Sequence, residues 1–216
     1  MPHLITEKDI LDTKKAGQSA IYIEPETIIT PSARDAARAC SIRFVAGKQQ
    51  ESAQKILPVS QKLERGPIAI GSDHGGFEMK EMLIAFLQNN GFKMDDLGCY
   101  SSASVDYPDI AHIVAKAVNT GQATLGIIID GVGVGSAMVA NKVPGIRAAC
   151  CNELFSAVNS REHNGANVLT LGGRIIGDEL AKKIVMIWLT TDFGGGRHKK
   201  RLDKISQIDE QYRPPA

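Results

Sequence analysis

Leu125-Gly126-Ile127-Ile128-Ile129-Asp130-Gly131-Val132-Gly133-Val134-Gly135-Ser136 is the stretch whose reading decides the fold. Residues 125–129 carry no polar side chain, which marks a strand buried on both faces, and such strands belong to parallel sheets covered by helices on each side. The alternating glycines then predict a strand-to-helix turn, with a short helix over 136–141. Around this unit the same alternation recurs. Ile68-Ala69-Ile70 predicts an apolar strand, followed by a helix with Met79, Met82, Leu83, Phe86 and Leu87 on one stripe. A strand over 92–97, a helix after Pro108, strands over 146–150 and 168–171, and a helix from about Glu153 continue it. Ala181, Ile184, Val185, Trp188 and Leu189 repeat the helical stripe, and a polar helix opens near Arg197. Five strands alternating with helices predict a Rossmann-like α/β three-layer sandwich with a five-stranded parallel sheet.

Upstream of this core the chain changes character. Residues 1–46 hold a short helix from Thr6, a strand over 20–23, a helix opened by Thr30-Pro31 and a strand over 42–45, which together predict a small α/β N-terminal appendage. Residues 47–66 are rich in Gln, Lys and Glu and read as a linker, and residues 67–216 form the main domain. A formal charge of +1 gives no global attraction for nucleic acid, so any anion binding is local. No apolar run approaches the roughly 20 residues that span a bilayer, and the N-terminus lacks a signal-peptide pattern; a cytoplasmic protein is expected. The four cysteines have no CxxC spacing, so reduced thiols are expected rather than a metal site or disulfides.

In open parallel sheets ligands bind beyond the carboxyl ends of the strands. Asp73 and His74, beside Gly75-Gly76, follow the first core strand. Asp130 and the loop Gly131, Val132, Gly133, Val134, Gly135 follow the third, where exposed backbone N–H groups would form an anion nest. A carboxylate ending an apolar strand is expected to lose solvation, which raises its pKa and suits it to proton transfer. The alternative is a turn aspartate bonding the amides that follow it. The GxGxG spacing is a weak match to dinucleotide-binding loops, so no nucleotide cofactor is expected. Arg197 and Arg201 share one helical face and could clamp a dianion, or form an exposed basic patch.

These segments together resemble the ribose-5-phosphate isomerase type B and galactose-6-phosphate isomerase family. The resemblance is carried by Gly71-Ser72-Asp73-His74-Gly75-Gly76-Phe77, Asp106-Tyr107-Pro108, the glycine loop with Ala140-Asn141-Lys142, Gly145-Ile146-Arg147-Ala148, Ser160-Arg161-Glu162-His163-Asn164, Asn167-Val168-Leu169 and Gly195-Gly196-Arg197-His198. It implies aldose–ketose isomerisation of a sugar phosphate through an enediolate, with ribose 5-phosphate as the expected substrate and neither metal nor organic cofactor. It also implies a homodimer or dimer of dimers with sites at the subunit interface. Under it Asp73 and His74 contact the sugar, His163 assists ring opening beside Asn164, and Arg174, Arg197 and Arg201 contact substrate or phosphate. Gly131 to Gly135 would stabilise the enediolate oxygen, and Tyr107 would form a pocket wall.

The chain departs from the family's pattern at Asp130, where many members carry a proton-transferring cysteine, and at Val132, commonly threonine or serine. Other members have a glutamate at the position of Ser136. Asp130 is therefore expected to be the base. The departure leaves open an isomerase or epimerase of another pentose or hexose phosphate, or a non-catalytic sugar-phosphate-binding or assembly protein. Leu4-Ile5-Thr6-Glu7-Lys8-Asp9-Ile10 and Ile28 to Asp35 resemble a segment of ethanolamine-utilisation and other bacterial microcompartment accessory proteins. That resemblance implies a docking or encapsulation element with shell or cargo proteins as partners; the alternative is an ordinary extension.

Overall fold

The computed structural model describes residues 4–15, 20–24, 26–46 and 66–212. The expected linker over 47–66 lies outside the described residues except for Gly66. The chain divides into two compact units, Met1–Ile56 and Leu57–Ala216.

The first unit contains β1 (Leu4–Ile5), α1 (Glu7–Lys15), β2 (Ala20–Ile23), β3 (Ile28–Ile29), α2 (Pro31–Cys40) and β4 (Arg43–Ala46). β1 pairs in parallel with β3, and β2 in parallel with β4. Thr30 caps α2 by accepting the Ala33 amide at 3.2 Å, as the Thr-Pro pair predicts. Ile5, Ile10, Ala33, Ala37 and Ile42 form a small separate core. The two-residue strands β1 and β3 are absent from the sequence reading, because two residues are too few to display a period of two.

The second unit contains β5 (Ile68–Ser72), α3 (Phe77–Asn89), β6 (Met94–Asp96), α4 (Tyr107–Asn119), β7 (Leu125–Asp130) and α5 (Val134–Ala140). It continues with β8 (Ala148–Cys150), α6 (Leu154–Glu162), β9 (Val168–Gly172), α7 (Asp178–Thr190) and α8 (Arg197–Gln211). The five strands form one parallel sheet in the order β6-β5-β7-β9-β8. Alternation along the strands sends neighbours to opposite faces. Ile127 and Ile129 pack with Leu83, Ile184 and Trp188 beneath α3, α6 and α7, whereas Ile128 packs with Val114, Ala115 and Ala140 beneath α4 and α5. This is the three-layer sandwich that the sequence predicts.

The chain leaves β5 toward β6 on one side and returns to β7 on the other. The order therefore reverses between β5 and β7, and the crevice at their carboxyl ends is the topological switch point. Asp73 and Asp130 emerge there, tied together through the Asp73 amide, which donates to the Ile129 carbonyl at 3.1 Å.

Lys80 on α3 is fully buried. Its Nζ donates to Asp96 at 2.7 Å and to Glu81 at 2.6 Å. Burial alone would lower its pKa, but these two carboxylates raise it, so the ammonium is retained inside the fold.

Candidate active site

At the carboxyl end of β5, Asp73 turns the chain into α3. Its Oδ1 accepts the amides of Gly75 at 2.8 Å and Gly76 at 3.0 Å. Among the described residues Oδ2 makes no hydrogen bond, so this carboxylate is anchored at one oxygen and open at the other. His74 is exposed, with Nδ1 within 3.3 Å of the Val105 carbonyl and 3.4 Å of the Val105 amide.

Asp130, 5% exposed, behaves differently. Oδ1 accepts the amides of Val132, at 2.7 Å, and Gly133, while Oδ2 accepts the amide of Ser136 at 2.9 Å. Burial alone would raise its pKa, but the Ser136 hydroxyl nearby and the amides of Gly133, Val132 and Ser136 outweigh it and hold the carboxyl below the usual carboxylate range. The Ser136 hydroxyl itself is buried and makes no well-formed hydrogen bond among the described residues. This corrects two expectations. The pKa of Asp130 is lowered, not raised, which makes it a weak and enclosed base. The amides of Val132 and Gly133, expected to face an enediolate oxygen, are occupied by the chain's own carboxylate.

Two further segments close around this loop. The Gly173 amide donates to the Asp130 carbonyl at 2.7 Å, and the Arg174 amide to the Gly131 carbonyl at 3.1 Å. The Arg174 guanidinium reaches the β5–α3 turn: its Nε lies 3.5 Å from the point that a Cβ on Gly75 would occupy. Tyr107, at the start of α4, lies so close to Gly135 that a Cβ there would come within 2.7 Å of the ring. Val134 stands exposed in the first turn of α5. Asp73, His74, Tyr107, Asp130, Gly131 to Gly135 and Arg174 thus gather at the carboxyl ends of β5, β7 and β9.

The remaining expected residues gather elsewhere. α6 leaves the carboxyl end of β8 and runs back along the sheet, so His163 and Asn164 lie near the amino end of β9. α7 runs back likewise and delivers Arg197 and Arg201 to the same end on α8. There the His163 and His198 rings stack at 4.1 Å, the Asn159 amide lies 2.9 Å from His163 Nδ1, and Arg197 Nε lies 3.5 Å from His198 Nε2. Partial desolvation, then His163, Arg197 and Arg201, hold the pKa of His198 below its ordinary value. A cavity of about 370 Å³ borders this cluster, lined by Asn164, Arg147, Ile205 and Ile208 among others.

The five-residue strands between the two clusters are about 16 Å long. The acid with its glycine loop and the arginine pair therefore do not converge within one chain. His198 is missing from the candidate residues read from the sequence, although it directly follows Arg197; its partner His163 is too distant in the chain for spacing to reveal the stack. Among the described residues no group of three or more His, Cys, Asp or Glu side chains is placed to hold a metal ion, and no helix is long and apolar enough to cross a membrane.

Residues 68–205 match the family model described as Ribose/Galactose Isomerase. The chain belongs to the ribose/galactose isomerase family. Ribose-5-phosphate isomerase B of Escherichia coli strain K12 is 46% identical over 144 residues, covering 67% of this chain and 97% of that protein. D-erythrulose-4-phosphate isomerase of Pectobacterium atrosepticum is 40% identical over 146 residues, covering 67% of this chain and 95% of that protein. Among solved structures, ribose-5-phosphate isomerase B of Clostridium thermocellum superposes with a TM-score of 0.67 at 48% identity, covering 68% of this chain and 99% of that one. The isomerase-family region is thus nearly complete in the second unit.

Proposed function

We propose that this chain is a sugar-phosphate isomerase that interconverts ribose 5-phosphate and ribulose 5-phosphate. Membership of the ribose/galactose isomerase family supports the reaction class, and the name of the E. coli relative supports the substrate. The observation that carries the reading is the convergence of Asp73, Arg174 and the glycine loop at the switch point of the sheet.

The reaction moves one hydrogen from C2 to C1 and one from O2 to O1. It needs a base that can reach both carbons and a positive group for the charge on the enediolate oxygens. Asp73 is assigned as that base, because its open oxygen can take the C2 proton and return it to C1. Arg174 supplies positive charge beside it, and His74 and Tyr107 border the same crevice. Asp130, enclosed by amides, holds the loop.

Ring opening and phosphate binding are assigned to His163, Asn164, Arg197 and Arg201. Since these lie at the opposite end of the sheet, they would serve a site only when supplied by a second copy. The proposed working unit is a homodimer or dimer of dimers in which the carboxyl-end cluster of one copy faces the amino-end cluster of another.

Ribose 5-phosphate incubated with the protein in deuterated water and followed by NMR tests the reading. Ribulose 5-phosphate carrying solvent deuterium at C1 is expected. Absence of isomerisation and of exchange across a panel of pentose and hexose phosphates would reject it.

The first unit has its own core and lies outside the residues that match the family model, which supports a separate role as a docking element, with microcompartment shell or cargo proteins as proposed partners. Equal recovery of shell proteins with and without residues 1–46 would remove that role.

A further inference from the structure

Arg161 stands in the last turn of α6, two residues before His163, and is 8% exposed. An arginine taken out of water needs acceptors inside the fold. Its Nε donates to the Thr191 carbonyl at 3.2 Å and its Nη1 to the Ala166 carbonyl, while its Cζ lies 4.9 Å from the centre of the Trp188 ring. The two carbonyls belong to different segments. Ala166 closes the turn that carries His163 and Asn164. Thr191 opens the segment that leads from α7 into α8, and so to Arg197, His198 and Arg201.

The second segment contains Gly194, Gly195 and Gly196, the last two with φ of 60° and 52°, and such a backbone keeps one course only where its surroundings hold it. The Gly194 amide donates to the Glu162 carbonyl at 2.8 Å, and the Thr191 carbonyl is held by Arg161. Both ties run to the end of α6. The turn and the second segment then meet face to face. The His163 and His198 rings stack at 4.1 Å, and a Cβ on Gly165 would come within 3.1 Å of Leu202 and 3.6 Å of Phe193. A guanidinium suits such a seam because its donors are fixed in one rigid plane, so two carbonyls bonded to different nitrogens keep a set separation. A lysine ammonium carries the same charge on a flexible stem and sets no such distance.

We infer that Arg161 is a positioning residue for the amino-end cluster: its one buried guanidinium joins the two segments, and so sets the stack of His163 on His198 and the placement of Arg197 and Arg201 beside it. The inference rests on the reading above that this cluster binds the phosphate and opens the ring. Arg161 acts on substrate only through the two backbone segments it holds.

The test compares the unaltered protein with Arg161→Lys, and with Arg161→Gln, which is neutral and so avoids the cost of a buried charge should the lysine variant not fold. Proton NMR of the histidine rings is read beside kinetics with ribose 5-phosphate, inorganic phosphate serving as competitive inhibitor. In the unaltered protein the ring protons of His163 and His198, identified with His163→Gln and His198→Gln, are expected upfield of a free imidazole, because each ring shields the other. In the Arg161 variants that displacement is expected to be lost. KM and the inhibition constant of phosphate are expected to rise together by roughly tenfold to a hundredfold, the usual effect of about an ångström of misplacement, and kcat to change less than either. A residue that only stabilises the fold would lower the folded fraction, reducing kcat with KM and the inhibition constant unmoved. Unchanged ring shifts with both constants within about twofold in a folded variant overturn the inference and leave the isomerase reading standing. Failure of both variants to fold overturns it likewise, by making Arg161 a residue of the fold alone. Absence of turnover in the unaltered protein rejects the isomerase reading instead, and the ring shifts still decide whether Arg161 sets the stack.

Discussion

The Oδ2 atom of Asp130 accepts the backbone amide of Ser136 at 2.9 Å, six residues along the chain, and so ties the end of β7 to the first turn of α5 across the whole glycine loop. With Oδ1 on Val132 and Gly133, the carboxylate is a clamp. Replacement by asparagine keeps the shape but loses the charge and turns an NH2 group toward an amide donor. Asp130→Asn is expected to lower stability by about 1–3 kcal/mol at pH 7. The folded-state pKa is lowered, so this contribution is complete above the ordinary carboxylate range, near 4, and is lost as pH falls through the lower folded-state value. Urea unfolding of both proteins between pH 7 and pH 3 is expected to show the gap narrowing toward acid. A gap equal at both extremes would mean that the charge is irrelevant to the clamp.

Asp73 and Asp130 separate cleanly by proton transfer. Deuterium exchange at C2 of the sugar phosphate is expected to fall by about 10²–10⁴ in Asp73→Asn, the usual contribution of a positioned base. In Asp130→Asn the exchange rate is expected to change through KM more than kcat, because the loop shifts while the base stays. The reverse ordering, with Asp130→Asn the more severe on kcat, would restore Asp130 as the base.

The sheet and its helices were legible because Leu125 to Ile129, and the stripes from Met79 to Leu87 and Ala181 to Leu189, carry their burial in their spacing. The site was legible only in part. Position alone placed Asp73 and the glycine loop at strand ends, the family resemblance added Arg174, and the structure gathers all three. The sign of the Asp130 pKa was illegible, since it turns on whether loop amides point inward or outward, and glycine permits either. The separation of His163 and Arg197 from Asp73 was legible in principle: a helix that follows a parallel strand ends near the opposite edge of the sheet. The buried ammonium of Lys80 was hidden by a helical stripe in which lysine stands next to Met79 and reads as solvent-facing.

That ammonium carries its own prediction. Lys80 has no exposed side-chain area, and both of its partners are carboxylates, Asp96 and Glu81. Removing both charges in Asp96→Asn/Glu81→Gln leaves a buried cation without a counter-charge, expected to cost about 3–5 kcal/mol. Adding Lys80→Met to that pair removes the buried charge and is expected to recover most of the loss. Denaturant midpoints for the double and triple variants decide it; a triple variant no more stable than the double would show that the ammonium itself is not the destabilising group.

The distance between the two clusters makes the assembly testable by complementation. Asp73→Asn disables the carboxyl-end cluster, and Arg197→Ala/Arg201→Ala disables the amino-end cluster. If each site draws one cluster from each copy, a mixed dimer holds one site with every lesion and one site with none. Random reassociation of equal amounts makes half the dimers mixed, so the mixture is expected to recover about a quarter of the unaltered activity from two inactive parents. Were both clusters to act within one chain, every site in the mixture would carry a lesion and activity would stay at the parental level. Measured turnover after denaturation and joint refolding, against each parent refolded alone, separates the two arrangements without reference to which sugar phosphate is the best substrate.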